Sequence, residues 1–271
     1  MLFNDFEKVT SKQWKNLIQY ELKGADYNDT LVWESLEGIK VKPFYHNDED
    51  TVHTTVSTNN TQFSIVQDIY VNDTEKSITK ANEVLNRGAE SIRFIVPNTE
   101  INVVSLLNNI KNPKAVYLQL LFLDADVVTK INTEAAKLSF EVFVLIDPIH
   151  QLGFDGNFYK DGNSDFEILN QINKKANNIN WLTVNATTYQ NAGANMVQQI
   201  AYTLAHTNEY LNRIENFDKN ITVEVTVGGN YFFEIAKIRA IRLILNALAE
   251  AYSSNITFHI LAEIKPFTII T

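Results

Sequence analysis

The stretch 181–211, WLTVNATTYQNAGANMVQQIAYTLAHTNEYL, begins as a short apolar run, crosses a polar turn and becomes a long amphipathic pattern. Val184 and its neighbours have the size of a buried strand. After Asn195 the apolar residues Val197, Ile200, Ala201, Leu204 and Leu211 recur at helical spacing. A strand followed at once by a covering helix is one βα unit, and the rest of the chain is read by asking where the unit repeats.

It repeats along most of the sequence. Strand runs are predicted near 62–71, 91–96, 115–122, 141–147, 181–186, 221–227 and 255–262, each followed by an amphipathic stretch except the last. Most are too uniformly apolar for a sheet with one wet face, so a parallel sheet covered by helices is predicted. The helix over 231–250 gathers Arg239, Arg242, Asn246 and Glu250 on one narrow stripe. Its remaining apolar arc is wide enough to need a further covering layer.

Strand number and spacing favour an α/β, TIM-type (β/α) barrel over a doubly wound sheet. Seven strands are clear and the eighth unit is missing. After the seventh run only EIKPFTIIT, 263–271, remains, and a parallel crossover needs a dozen or more residues. Either the barrel stays open, or FTIIT (267–271) folds back over the gap, or another chain covers it; an uncovered edge invites association.

The first 55 residues are of another kind and are assigned to an N-terminal arm, with 56–271 as the incomplete barrel. Thr10 and Gln13 make a capping box for a short helix whose Trp14, Leu17, Ile18 and Leu22 share a face, and Gly24 is placed to end it. Trp14, Leu17, Tyr27 and Trp33 are the candidate residues for a partner-binding or arm-docking surface.

Composition removes several functions. Twenty-three Lys+Arg against 32 Asp+Glu give a net charge of -9, which offers no footprint for nucleic acid or an anionic membrane. There are no cysteines, so disulfides and thiolate chemistry are absent. The N-terminal residues lack a signal-peptide pattern and no apolar run reaches bilayer length. A cytoplasmic location is the expectation.

Acids stand at strand ends, where barrels hold their active sites: Asp124 and Asp126 after the third strand and Asp147 after the fourth. Asp124 and Asp147 could act as an acid/base pair, although such residues more often cap helices or shape turns. Gly228-Gly229-Asn230 could let amides approach a phosphate, but it lacks the spacing of a phosphate-binding fingerprint, and a structural turn with Asn230 as a simple N-cap is the better account. The histidines at 46, 53, 150, 206 and 259 show no metal-ligand spacing.

The stretch NAGANMVQQIAYTLAHTNEYL after VNATTYQ, with NYFFEIAKIRAIRLI (230–244), LKGADY (22–27), LVWESLEGIKVKPFY (31–45) and IDPIHQLGFDGNFY (146–159), resembles the barrel domain of methylmalonyl-CoA mutases. The likeness is closer to the non-catalytic small (beta) subunit of the heterodimeric enzyme. In the catalytic subunit the resemblance implies a Tyr-His pair shortly before the Ala-Gly-Ala turn. Aligning on Ala192, Gly193 and Ala194 puts Thr187 and Thr188 there, as degenerate active-site positions. A threonine cannot titrate near neutral pH as an imidazole can.

The Asp-x-His-x-x-Gly signature of the family's cobalamin domain is also not met. In DPIHQLG, 147–153, Asp147 stands three positions before His150 instead of two. The resemblance therefore implies a heterodimer in which this chain carries no catalytic, cofactor or metal residue. Adenosylcobalamin belongs to the large-subunit partner, which interconverts methylmalonyl-CoA and succinyl-CoA. Family small subunits complete the barrel and carry a further C-terminal domain, so the chain reads as shortened. The alternatives are an independent barrel enzyme using Asp124 and Asp147, or a non-functional fragment.

Overall fold

The computed structural model describes residues 7–49, 63–252 and 255–264. The chain divides into two compact units, Met1–Ser57 and Thr58–Thr271. His53 and the segment FTIIT, on which one sequence expectation turns, lie outside the described residues.

The first unit holds α1 (Ser11–Glu21), α2 (Tyr27–Leu31) and a two-stranded antiparallel hairpin of β1 (Trp33–Glu34) and β2 (Lys40–Val41). The predicted capping box starts α1: the Thr10 side chain accepts from the Gln13 N–H at 3.3 Å and the Gln13 side chain accepts from the Thr10 N–H at 2.8 Å. Gly24, at φ +98, follows the helix end, a conformation that suits glycine. The Ser11 N–H donates to Asp48 at 2.8 Å, tying the helix start to the turn beyond the hairpin.

The second unit alternates strand and helix: β3 (Val66–Tyr70), α3 (Thr74–Asn86), β4 (Ser91–Val96), α4 (Val103–Asn108), β5 (Ala115–Leu120), α5 (Ala125–Ala135), β6 (Glu141–Ile146), α6 (Pro148–Asp155) and α7 (Gly162–Lys175). It continues through β7 (Asn180–Asn185), α8 (Thr187–Asn191), α9 (Met196–Arg213), β8 (Ile221–Val227), α10 (Tyr231–Ala251) and β9 (Phe258–Ile264). The last strand ends two residues later than the sequence run, and the first begins four later. All neighbouring pairs are parallel, in the order β3-β4-β5-β6-β7-β8-β9.

Alternation along each strand sorts the side chains. Ile92, Phe94, Val116, Leu118, Val144, Ile146, Leu182 and Val223 are buried in one core with the helices. Ala115, Tyr117, Phe143 and Leu145 form a second cluster on the concave face, with Val66 of the first strand and Leu261 of the last packed against it. Contacts across that face show how far the sheet curls. Arg93 on β4 reaches Glu224 on β8 at 3.2 Å, and Tyr117 on β5 bonds His259 on β9 at 2.9 Å.

The unit is an α/β, TIM-type half-barrel of seven parallel strands, lacking a closing eighth unit among the described residues. No helix among them is long and apolar enough to cross a membrane.

Candidate functional site at the ends of β6 and β7

Pro148 directly after β6 stops the strand and opens α6, and Asp147 becomes the cap of that helix. Asp147 Oδ1 accepts from the His150 N–H at 2.8 Å, from His206 Nε2 at 2.9 Å and from the Tyr210 hydroxyl at 2.5 Å, while Oδ2 accepts from the Asn185 N–H at 2.6 Å. The carboxyl is 5% exposed. Burial alone would raise its pKa, but the facing His206, the Asn185 amide and the Tyr210 hydroxyl hold it below the usual range. Asp147 is thus an ionised, fully satisfied hub that joins β6, β7, α6 and α9.

A carboxylate only accepts, so His206 Nε2 donates to Asp147. The Tyr189 hydroxyl lies 3.0 Å from His206 Nδ1. On the same rim the Thr188 hydroxyl lies 2.7 Å from His150 Nδ1. Burial pushes His150 below the ordinary imidazole range, against the pull of Asp147, so it is neutral at pH 7. The Thr187 hydroxyl donates to Asn185 Oδ1 at 2.6 Å. Both threonines are therefore engaged within the chain.

The other acids and glycines have local roles. Asp124 Oδ1 accepts the Asp126 and Val127 N–H groups at 2.9 and 3.0 Å, which makes it the cap of α5. With Asp124 capping and Asp147 buried as a cap and hub, the acid/base pair drawn from the sequence loses its basis. The Gly228 N–H donates to Glu234 Oε1 at 2.9 Å and so is not free for a phosphate. Asn230 makes no side-chain cap, which corrects the expectation for that turn.

On the arm, Trp14, Leu17 and Trp33 are about half exposed, at 47%, 50% and 52%. Tyr27 differs: it is 5% exposed, and Lys15 Nζ stands 4.8 Å from its ring centre. Of the five histidines, His46 faces Asp48 at 2.8 Å and His150, His206 and His259 bond Thr188, Asp147 and Tyr117. Among the described residues no three His, Cys, Asp or Glu groups gather as a metal set.

Sequence reasoning missed the hub. Its signal was present in α9, where Thr203, His206, Thr207 and Tyr210 sit at helical spacing and are all buried. Polar groups on a buried stripe require partners, and Asp147 is the partner of two of them.

The methylmalonyl-CoA mutase family model matches residues 161–259. The methylmalonyl-CoA mutase small subunit of Porphyromonas gingivalis is 27% identical across 94% of this chain and 46% of its own length. The methylmalonyl-CoA mutase of Cereibacter sphaeroides is 30% identical across 32% of this chain and 13% of its own length. That of Rhizobium meliloti is 28% identical over the same shares. The chain spans less than half the length of these curated relatives. Its strand–helix repeat, its half-barrel and these matches agree: the chain is similar to the methylmalonyl-CoA mutases over residues 161–259 and resembles a small subunit along nearly all of its length.

Proposed function

We propose that the chain is a non-catalytic small subunit that binds and stabilises a cobalamin-dependent large subunit, which interconverts methylmalonyl-CoA and succinyl-CoA. The observation that supports it best is the state of Thr187 and Thr188. Where the resemblance implies a Tyr-His pair, two hydroxyls are bonded to Asn185 and His150 and present no imidazole of their own. The concave face of the sheet agrees with this reading. Phe143 stacks between Tyr117 and His259, with ring centres 4.7 and 4.6 Å apart, so bulky rings fill the middle of the barrel.

In this reading adenosylcobalamin is bound by the large subunit and the complex is cytoplasmic. The exposed Trp14, Leu17 and Trp33 are the partner-facing residues of the arm; Tyr27 packs inside it. Co-expression with a large subunit followed by size exclusion at micromolar concentration tests the partnership, and separate elution overturns it. Incubating the single chain with adenosylcobalamin and recording the spectrum after desalting tests the cofactor assignment. A stoichiometric bound corrin, or turnover of methylmalonyl-CoA by this chain alone, overturns the non-catalytic role.

A further inference from the structure

Asp147, His206 and Tyr189 stand in the order of an orienting acid, a base and a hydroxyl. The carboxylate fixes the imidazole at 2.9 Å, and the imidazole's other nitrogen, Nδ1, faces the phenol at 3.0 Å. The acid is itself locked by three further donors, so the imidazole cannot turn. A cavity of about 330 Å³ opens beside the end of this chain of bonds. Tyr189 and His206 form part of its lining, with Ile149, Leu152, Phe158 and Tyr202 as apolar walls. Glu209 and Arg213 at the cavity pair with each other at 3.5 Å and add no net charge.

We propose that Asp147, His206 and Tyr189 make a base-activated nucleophilic site, at which Tyr189 Oη takes short apolar acyl groups from activated esters or thioesters held in this cavity. Tyr189 Oη forms the bond to the carbonyl carbon while its proton passes to His206 Nδ1. The bond from that carbon to the leaving oxygen or sulfur breaks, and the proton on His206 neutralises the leaving group. Asp147 stabilises the imidazolium that exists between the two transfers. Water, deprotonated by the same imidazole, then cleaves the acyl-tyrosine to a carboxylic acid and restores the phenol. No redox partner is required. The site does not depend on the mutase reading, in which non-catalytic refers to the isomerisation alone.

Burial and the nearby Asp147 push the Tyr189 phenol up to about 12, so free phenolate is scarce at neutral pH and transfer to His206 is the available route. Tyr202 provides an internal control. Its ring centre is 5.3 Å from that of Tyr189, on the same cavity, and its ring is 47% exposed. The other titratable groups facing the triad are His150, Tyr159 and Tyr210, with Glu209 and Arg213 at the cavity. Burial shifts His150 downwards and both tyrosines upwards, away from the window used below.

The test uses the full chain and p-nitrophenyl acetate between pH 6.5 and 9, with acetylated peptides quantified by mass spectrometry. Tyr189 is expected to acetylate faster than Tyr202 and with a shallower dependence on pH, because a bonded base takes its proton. Tyr202 should rise more steeply with pH, as a phenol that reacts only through its phenolate does. His206→Gln should slow Tyr189 about 100-fold or more, the range of general-base assistance, and leave Tyr202 unchanged. Tyr189→Phe should abolish the matching nitrophenolate burst. Equal rates or parallel pH slopes at the two tyrosines in the unmodified chain overturn the proposal, even if His206→Gln fails to fold.

Discussion

Two buried charges reach the C-terminal ends of strands in the same sheet, one from the strand end itself and one from a helix, and are neutralised in opposite ways. Asp147, after β6, is a carboxylate surrounded by donors: two backbone amides, an imidazole and a phenol. Lys237 on α10 is an ammonium surrounded by acceptors. Its Nζ reaches the Thr226 carbonyl at 2.7 Å, Gln199 at 3.0 Å, Gln190 at 3.2 Å and the Glu234 carboxylate at 2.7 Å. The lysine cluster closes on itself, with its charge cancelled by Glu234 one helical turn away. The aspartate cluster continues outward through His206 to a phenol on a cavity. The difference lies in the last member of each network: one ends in a countercharge, the other in a group that can exchange a proton.

That contrast can be broken in order of size. Asp147→Ala strands four donors in a buried space, and equilibrium urea unfolding should show a loss of about 5 kcal/mol. A loss below about 1 kcal/mol would mean water already serves these groups. Lys237→Met leaves Glu234 as a buried, uncompensated carboxylate and should cost about 4 kcal/mol by the same measurement. Adding Glu234→Gln should recover roughly half, because the charge is then gone. No recovery would show that the lysine acts through Gln190 and Gln199 and not through its countercharge.

A third buried charge sharpens the comparison, because it is incompletely neutralised. Burial raises the Glu224 carboxyl to about 7, with Arg93 opposing the shift. A carboxyl whose folded pKa lies above its unfolded value favours folding when protonated. Its stabilising effect is full below the unfolded value near 4.5 and is lost as pH rises to about 7. Unfolding free energy should fall by about 3 kcal/mol across that window, and Glu224→Gln should flatten the curve. A wild-type curve that is already flat, or one unchanged in the variant, would remove Glu224 from the balance.

The smallest effect belongs to the outermost group. Tyr189→Phe removes one hydrogen bond at the edge of the aspartate network and leaves the hub intact, so urea unfolding should register about 1 kcal/mol. A loss as large as that for Asp147→Ala would make the phenol part of the structural hub and not its outlet.

Much of the fold was legible in the sequence, because seven strand runs and their covering helices repeat a periodicity that does not depend on distant contacts. Asp124 and the Thr10–Gln13 box could be read for the same reason, since a cap acts within three residues. What could not be read depends on which strand ends meet. His206 and Asp147 are 59 positions apart, and only the parallel packing of β6 beside β7 under α9 brings them together. The wide apolar arc of α10 was also read too simply: its buried stripe carries Glu234 and Lys237, each made tolerable by the other, with the Gly228 amide on the carboxylate and Gln190 and Gln199 on the ammonium. Asn230 looked like a helix cap from its position after two glycines, yet its side chain makes no capping bond there.

The concave face has a mechanical consequence. Among the described residues β3 and β9 each have a single backbone neighbour, so no ladder of amides joins the sheet's two flanks. Side chains cross the concave face instead, among them the braces Arg93 to Glu224 and Tyr117 to His259. A shell held by struts flexes where a hooped one would be stiff, and amide protons of β9 should exchange with deuterium sooner than those of β5 and β6 at its centre.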